Sequence, residues 1–266
     1  INNLFSLEKY KEENILSIWN VEEKKLKLVE HRKLKGLEQL NNLKFHDELW
    51  KIISEFYPED VINRIDKFVV FSDNNKNNRN GMSGLIESVD GTNNSRFILS
   101  VDIADAYYGN KISLEVFLNL LVHEFFHLVS LNDTQISPNY TKGVKIYEGY
   151  TYETSYINSF YEKFWNNSLG KKLEMLELNS KLSFAQKETI REEIYRYNQD
   201  KFIDTYAMTN MVEDIAVSFE DFIRLNKGYL GDSLKDKKID FFYSYADLVK
   251  YKNHFIQKKK EMIRKY

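Results

Sequence analysis

Residues Leu114–Val129, LEVFLNLLVHEFFHLV, constrain this chain more than any other stretch. Wound as a helix, they put apolar side chains around nearly the whole circumference, the mark of a helix buried on all sides. A narrow polar stripe runs along it, because Asn119, His123 and His127 recur at intervals of four and share one face. Burying such groups bare would cost roughly a few kcal/mol each, so the stripe must face a cavity, a metal or polar partners. Two imidazoles one turn apart can close on a single Zn²⁺ at about 2.0–2.1 Å each. Glu124 lies about 100° round the helix from His123, near enough to touch a water on that ion without ligating it. His-Glu-x-x-His therefore carries two ligands and a general base on one rigid scaffold. The plainer alternative is a pair of core histidines satisfied by hydrogen bonds. The motif does fall inside a predicted core helix, which is the setting the metal reading requires.

Composition narrows the partners. With 38 basic and 40 acidic residues the net charge is −2, which gives no electrostatic footprint for nucleic acid. The chain has no cysteine, so neither a disulfide framework nor a thiolate metal site can form. No apolar run is long enough to span a bilayer. The 266 residues, 42% of them hydrophobic, suffice for one large or two modest domains with ample core.

Along the chain, the pattern predicts an N-terminal helical region over residues 1–57. SLEKYKEENILSIW, VEEKKLKLVEHRKLKGLEQL and FHDELWKIISEFY all space apolar residues helically among charged ones. In this reading His31 is a solvated residue of a charged helix, and His46 a capping or core group. Pro58 marks a break, and residues 58–266 are expected to form the catalytic domain. Phe68–Phe71 reads as a buried strand, and Asp73–Gly84 as a polar loop. Leu85–Val89 and Arg96–Val101 read as a hairpin around a turn at Asp90–Ser95. A small antiparallel sheet thus precedes the His-Glu-x-x-His helix, with Ser113 as its cap and Glu115 in its first turn. Arg96–Val101 is the candidate edge strand for an extended peptide. Helices are expected from about Glu148, through SFAQKETIREEIYRYNQDKF, through MVEDIAVSFEDFIRL with Thr209 or Asn210 as cap, and in the tail, where His254 is a surface or packing residue. The expected fold is α+β and mainly helical, the sheet packed beside the active-site helix and the C-terminal lobe helical.

A catalytic zinc takes three protein ligands and leaves one position open, and three acidic residues compete for the third place. Asp133 lies six residues after His127, but a ligand there normally needs glycine three residues after the second histidine, where this chain has Ser130. Glu148 opens Glu-Gly-Tyr-Thr-Tyr, which is similar to the glutamate-supplying element of aminopeptidase-like His-Glu-x-x-His enzymes. Glu213 follows Tyr206 by seven residues in YAMTNMVEDIA.

The pairing of HEFFH with YAMTNMVEDIA resembles the two motifs of the anthrax-lethal-factor-like zinc peptidases, of gluzincin type. It also resembles a group of secreted bacterial zinc metallopeptidases with a YA…EDFAE signature. The resemblance covers about residues 58–225 and omits the N-terminal region. It implies that His123, His127 and Glu213 hold Zn²⁺, that Glu124 is the base and that Tyr206 steadies the oxyanion. One departure stands out: Val217 occupies the place of an acidic residue in that family, so a carboxylate orienting a ligand would come from elsewhere, such as Asp214 or Glu220.

The expected function is a zinc-dependent endopeptidase acting on peptide or protein substrates. An aminopeptidase using Glu148 and a non-catalytic zinc-containing binding module are the alternatives. The chain begins with Ile rather than Met, and with the resemblance this makes an extracellular or cell-surface setting the expectation.

Overall fold

A β-hairpin stands where the sequence pattern predicts N-terminal helix. The computed structural model describes residues 12–73, 83–89, 91 and 94–266. The expected start of the first helix, most of the Asp73–Gly84 loop and part of the Asp90–Ser95 turn therefore lie outside the described residues. Ile15–Glu22 (β1) pairs antiparallel with Lys25–His31 (β2). The turn is Glu23-Lys24, with φ of 50° and 64°, the two left-handed residues of a type I′ hairpin turn. Trp50 braces it by donating from Nε1 to the Lys24 carbonyl at 2.8 Å. Among the described residues, only Leu43–Phe56 (α1) of the predicted N-terminal helices forms, capped by Asn42, whose side chain accepts from Lys44 N.

A short turn of helix, Glu59–Ile62 (α2), leads into Ile65–Phe71 (β3), followed by Gly84–Ser88 (β4) and Phe97–Asp102 (β5). The five strands form one sheet in the order β2-β1-β3-β5-β4. The sheet is mixed rather than antiparallel, because β3 and β5 run parallel. It also corrects the expectation for Arg96–Val101: β5 is flanked by β3 and β4, and β4 is the outer strand on that side. Each face of the sheet carries apolar side chains. Val69 and Phe71 pack with Ile15 and Leu85 on one face. On the other, Phe68 lies against Trp50 of α1 with ring centroids 5.3 Å apart.

Ile103–Ala106 (α3), capped by Asp102, and the ribbon Tyr107–Tyr108 (β6) and Lys111–Ile112 (β7) lead into the long helix Leu114–Ser130 (α4). It starts at Ser113 as expected, with Glu115 in its first turn. Asn132 closes the far end, its Nδ2 donating to the carbonyls of Leu128 and Val129 at 3.1 and 2.8 Å, which satisfies carbonyls that have no partner within the helix. Residues 12–133, joined by 257–266, make one compact unit.

Residues 134–256 make the second. Its small sheet has the order β8-β10-β9, from Ile136–Ser137 (β8), Lys145–Ile146 (β9) and Gly149–Thr151 (β10). The predicted helix from Glu148 therefore gives way to a strand, and helix begins only at Tyr156–Phe160 (α5), continuing as a π-helical turn through Trp165. Then come Ser168–Glu177 (α6), Phe184–Tyr195 (α7), Met211–Arg224 (α8), Leu234–Phe241 (α9) and the start of Ala246–Lys265 (α10), whose residues from 257 on belong to the first unit. The whole is α+β and mainly helical. Among the described residues no helix is long and apolar enough to cross a membrane.

Candidate metal centre

The expected stripe on α4 divides into two environments. Asn119 is exposed and accepts from Lys259 Nζ at 2.7 Å, so it belongs to the surface. His123, Glu124 and His127 are buried, at 7%, 4% and 7% exposure. The two imidazoles turn the same nitrogen toward one another, Nε2 to Nε2 at 3.0 Å, with ring planes 77° apart. An ion at about 2.0–2.1 Å from each would see the two nitrogens at an angle of roughly 90–97°, somewhat tighter than tetrahedral and within reach of a small ring rotation. The i, i+4 spacing on an unbroken helix is what brings them together.

Glu213 is placed by α8. Asn210 caps that helix, its side chain accepting from Val212 N and Glu213 N at 2.8 and 3.0 Å, so the cap expected at Thr209 or Asn210 is Asn210. A carboxylate in the first turn also meets the positive end of the helix dipole. Burial at 8% exposure nevertheless requires a partner of its own for Glu213. His123, His127 and Glu213 form a buried group that could hold a metal ion, their ligand atoms all lying within 4.8 Å of one another. Two imidazoles and one carboxylate, with no thiolate, suit Zn²⁺ and other borderline divalent ions.

Neither competing carboxylate is in that group. Asp133 is exposed and pairs with Arg64 Nη1 at 2.8 Å. Glu148 is half-buried in the turn before β10. Neither belongs to a three-residue ligand group among the described residues. Tyr206 opens a short 3-10 turn, Tyr206–Met208, just before α8, and is half-exposed. The turn is fixed by Asp204, which accepts from Ala207 N at 2.8 Å.

No protein-family model, curated protein or solved structure matches the chain.

Asp214, next to Glu213, is fully buried and serves the packing of its own unit. Its Oδ2 accepts from Trp165 Nε1 at 2.7 Å and from Lys238 Nζ at 2.5 Å. Burial raises the carboxyl pKa and lowers that of the ammonium, and their mutual attraction opposes both. At the other end of α8, buried Lys252 donates to the carbonyls of Phe222 and Leu225. Helix α8 is thus held at both ends within its own unit.

Two residues near Glu124 escaped the sequence reading. Tyr57, the residue that ends α1, donates its hydroxyl to the Leu121 carbonyl at 2.7 Å. Burial, and secondly the charge of Glu124, hold its pKa well above the ordinary tyrosine value. Gly84, the first residue of β4, lies against the Glu124 carboxylate. A lone tyrosine and a lone glycine carry no motif, and only the fold brings them to the helix.

Proposed function

We propose that this chain is a zinc-dependent endopeptidase in which His123, His127 and Glu213 hold the ion, Glu124 is the general base and Tyr206 steadies the oxyanion. The observation that carries the reading is the buried His123–His127–Glu213 group, with Glu124 one residue along the same helix. Three side chains that could ligate an ion gather there among the described residues, and a catalytic site keeps a fourth position open where a structural one closes it. The resemblance of HEFFH and YAMTNMVEDIA to the lethal-factor-like peptidases supports the same assignment, and the extracellular setting rests on that resemblance alone.

Held by His123, His127 and Glu213, a zinc ion would supply a Lewis acid and would make a water a nucleophile near neutral pH. Glu124 would serve as the general base, taking a proton from the attacking water and returning it to the departing amine. Glu124 is buried at 4% exposure, a setting in which electrostatic interactions are stronger than in water. Tyr206 donates its hydroxyl to the developing oxyanion, for which it must approach within about 2.7–3.1 Å. Its place in the turn leading into α8 puts it on the same structural support as Glu213. An extended substrate would pair with β4, the outer strand on the Glu124 side.

Glu124→Gln tests the proposal: it is isosteric and removes only the base. The variant should keep one zinc per chain and lose nearly all peptide hydrolysis, a fall of at least about 10³-fold. Hydrolysis equal to the parent's would overturn the mechanism.

A further inference from the structure

The close approach of β4 to α4 has a chemical consequence for Glu124. A Cβ built on Gly84 would lie 2.5 Å from Glu124 Oε1, 2.9 Å from its Cδ and 3.0 Å from its Cγ. Ordinary contact for a Cβ begins near 3.4 Å. Glycine is often required because the backbone turns left-handed, and among the described residues Gly36, Gly91, Gly109 and Gly149 have such positive φ values. Gly84 does not. Its backbone suits any L-residue, so the missing side chain serves space rather than conformation. Glycine at a strand position otherwise weakens the strand, and commonly marks a place where another group comes close.

The backbone at this point is held from behind. Ser83 accepts at its carbonyl from Asp102 N at 2.9 Å and donates its hydroxyl to Asp105 Oδ2 at 2.5 Å. Gly84 itself stands opposite Val101 in the β4–β5 register. Asp102 is fixed in turn, its carboxylate accepting from Asp73 N and Ala104 N at 2.9 and 2.7 Å. A side chain added at Gly84 would therefore displace the carboxylate rather than the strand.

We propose that Gly84 is a positioning residue: the bare backbone at the start of β4 is the seat of the Glu124 carboxylate, and holds it where it can accept a proton. This rests on the reading of Glu124 as general base. Relieving the contact needs a movement of about 0.9 Å, from 2.5 Å to 3.4 Å, and a displacement of about 1 Å in reacting geometry can cost on the order of 10²-fold in rate.

The test is Gly84→Ala in the full chain, loaded with zinc for kinetics and with cobalt for visible spectra. Metal content should stay at one per chain and KM within about twofold, while kcat falls about 10- to 100-fold. In a Glu124→Gln background the same substitution should cost no further activity. The pH midpoint of the cobalt spectrum should move in the same direction as it does in Glu124→Gln. An unchanged kcat with an unchanged midpoint would overturn the proposal, as would an equal loss in the Gln background. If parent and Glu124→Gln turn over alike, the base assignment fails on its own, and the cobalt midpoint of Gly84→Ala still decides whether the seat matters. Should Gly84→Ala be too unstable to isolate, adding Glu124→Asp, one methylene shorter, should restore the fold. Failure of that rescue would also rule the contact out.

Discussion

His46 offers a stability measurement that is independent of the metal centre. Its ring is fully buried, with Nε2 2.8 Å from the Leu40 carbonyl and Nδ1 2.7 Å from Ser17 Oγ. A carbonyl only accepts, so Nε2 carries the proton and Nδ1 takes the Ser17 hydroxyl hydrogen. Trp19 Nε1 donates to the same Ser17 oxygen at 2.7 Å. The neutral ring is therefore satisfied at both nitrogens, and a second proton on Nδ1 would meet a hydroxyl already aimed at it. Burial above all pushes the pKa down to about 4, the Leu40 carbonyl opposing this and the charge of nearby His31 adding to it. The folded pKa lies below the unfolded value of about 6.5. His46 thus contributes stability that is complete above pH 6.5 and is lost as pH falls toward 4. The gap corresponds to about 3 kcal/mol, at a slope near 1.4 kcal/mol per pH unit within that window. Urea unfolding of the parent and of His46→Phe across pH 4–7 isolates the effect. The stability difference should shrink by about 3 kcal/mol on acidification, even though the phenylalanine variant is weaker at neutral pH because it orphans the Leu40 carbonyl. A pH-independent difference would refute the argument, as would an imidazole proton resonance titrating near 6.5.

Two further substitutions test the supports of the site. Lys238→Met should cost about 3–5 kcal/mol by stranding the buried Asp214 carboxylate, while Asp214→Leu added to it should recover most of the loss in a thermal melt. Loss without recovery would mean that α8 is held in some other way. Trp50→Phe removes the donor to the Lys24 carbonyl and should lower stability by about 1–2 kcal/mol. Hydrogen exchange in that variant should quicken at the β1–β2 turn before it does in β3.

What the sequence made legible was whatever repeats locally. Leu114–Ser130 announced itself by apolar residues all round and histidines four apart, and Met211–Arg224 by its asparagine cap and amphipathic spacing. The 84–102 hairpin showed as two apolar runs about a polar turn. The N-terminal hairpin did not, because Glu23-Lys24 forms a type I′ turn with neither Asn nor Gly. Its flanks, rich in Lys, Glu and Leu, carry helix formers, and tertiary packing of β1 on β3 overrides that preference. The stretch from Glu148 failed for a related reason. Tyrosine and threonine suit a strand as well as a helix, and a run this short does not decide between them. His31 ends β2 half-buried, 2.9 Å from the Asn41 carbonyl, and is not a solvated helix residue. The seat at Gly84 and the hydroxyl of Tyr57 depend on approaches between distant segments, which no local pattern encodes.

The assignment of the metal centre meets its most direct test in a zinc titration of the metal-stripped parent beside Glu213→Ala. We expect the parent to take up one equivalent tightly and the variant to bind at least about 10- to 100-fold more weakly, with its fold intact by circular dichroism. A parent that takes up no zinc, or a variant that binds it as tightly as the parent, would contradict the account.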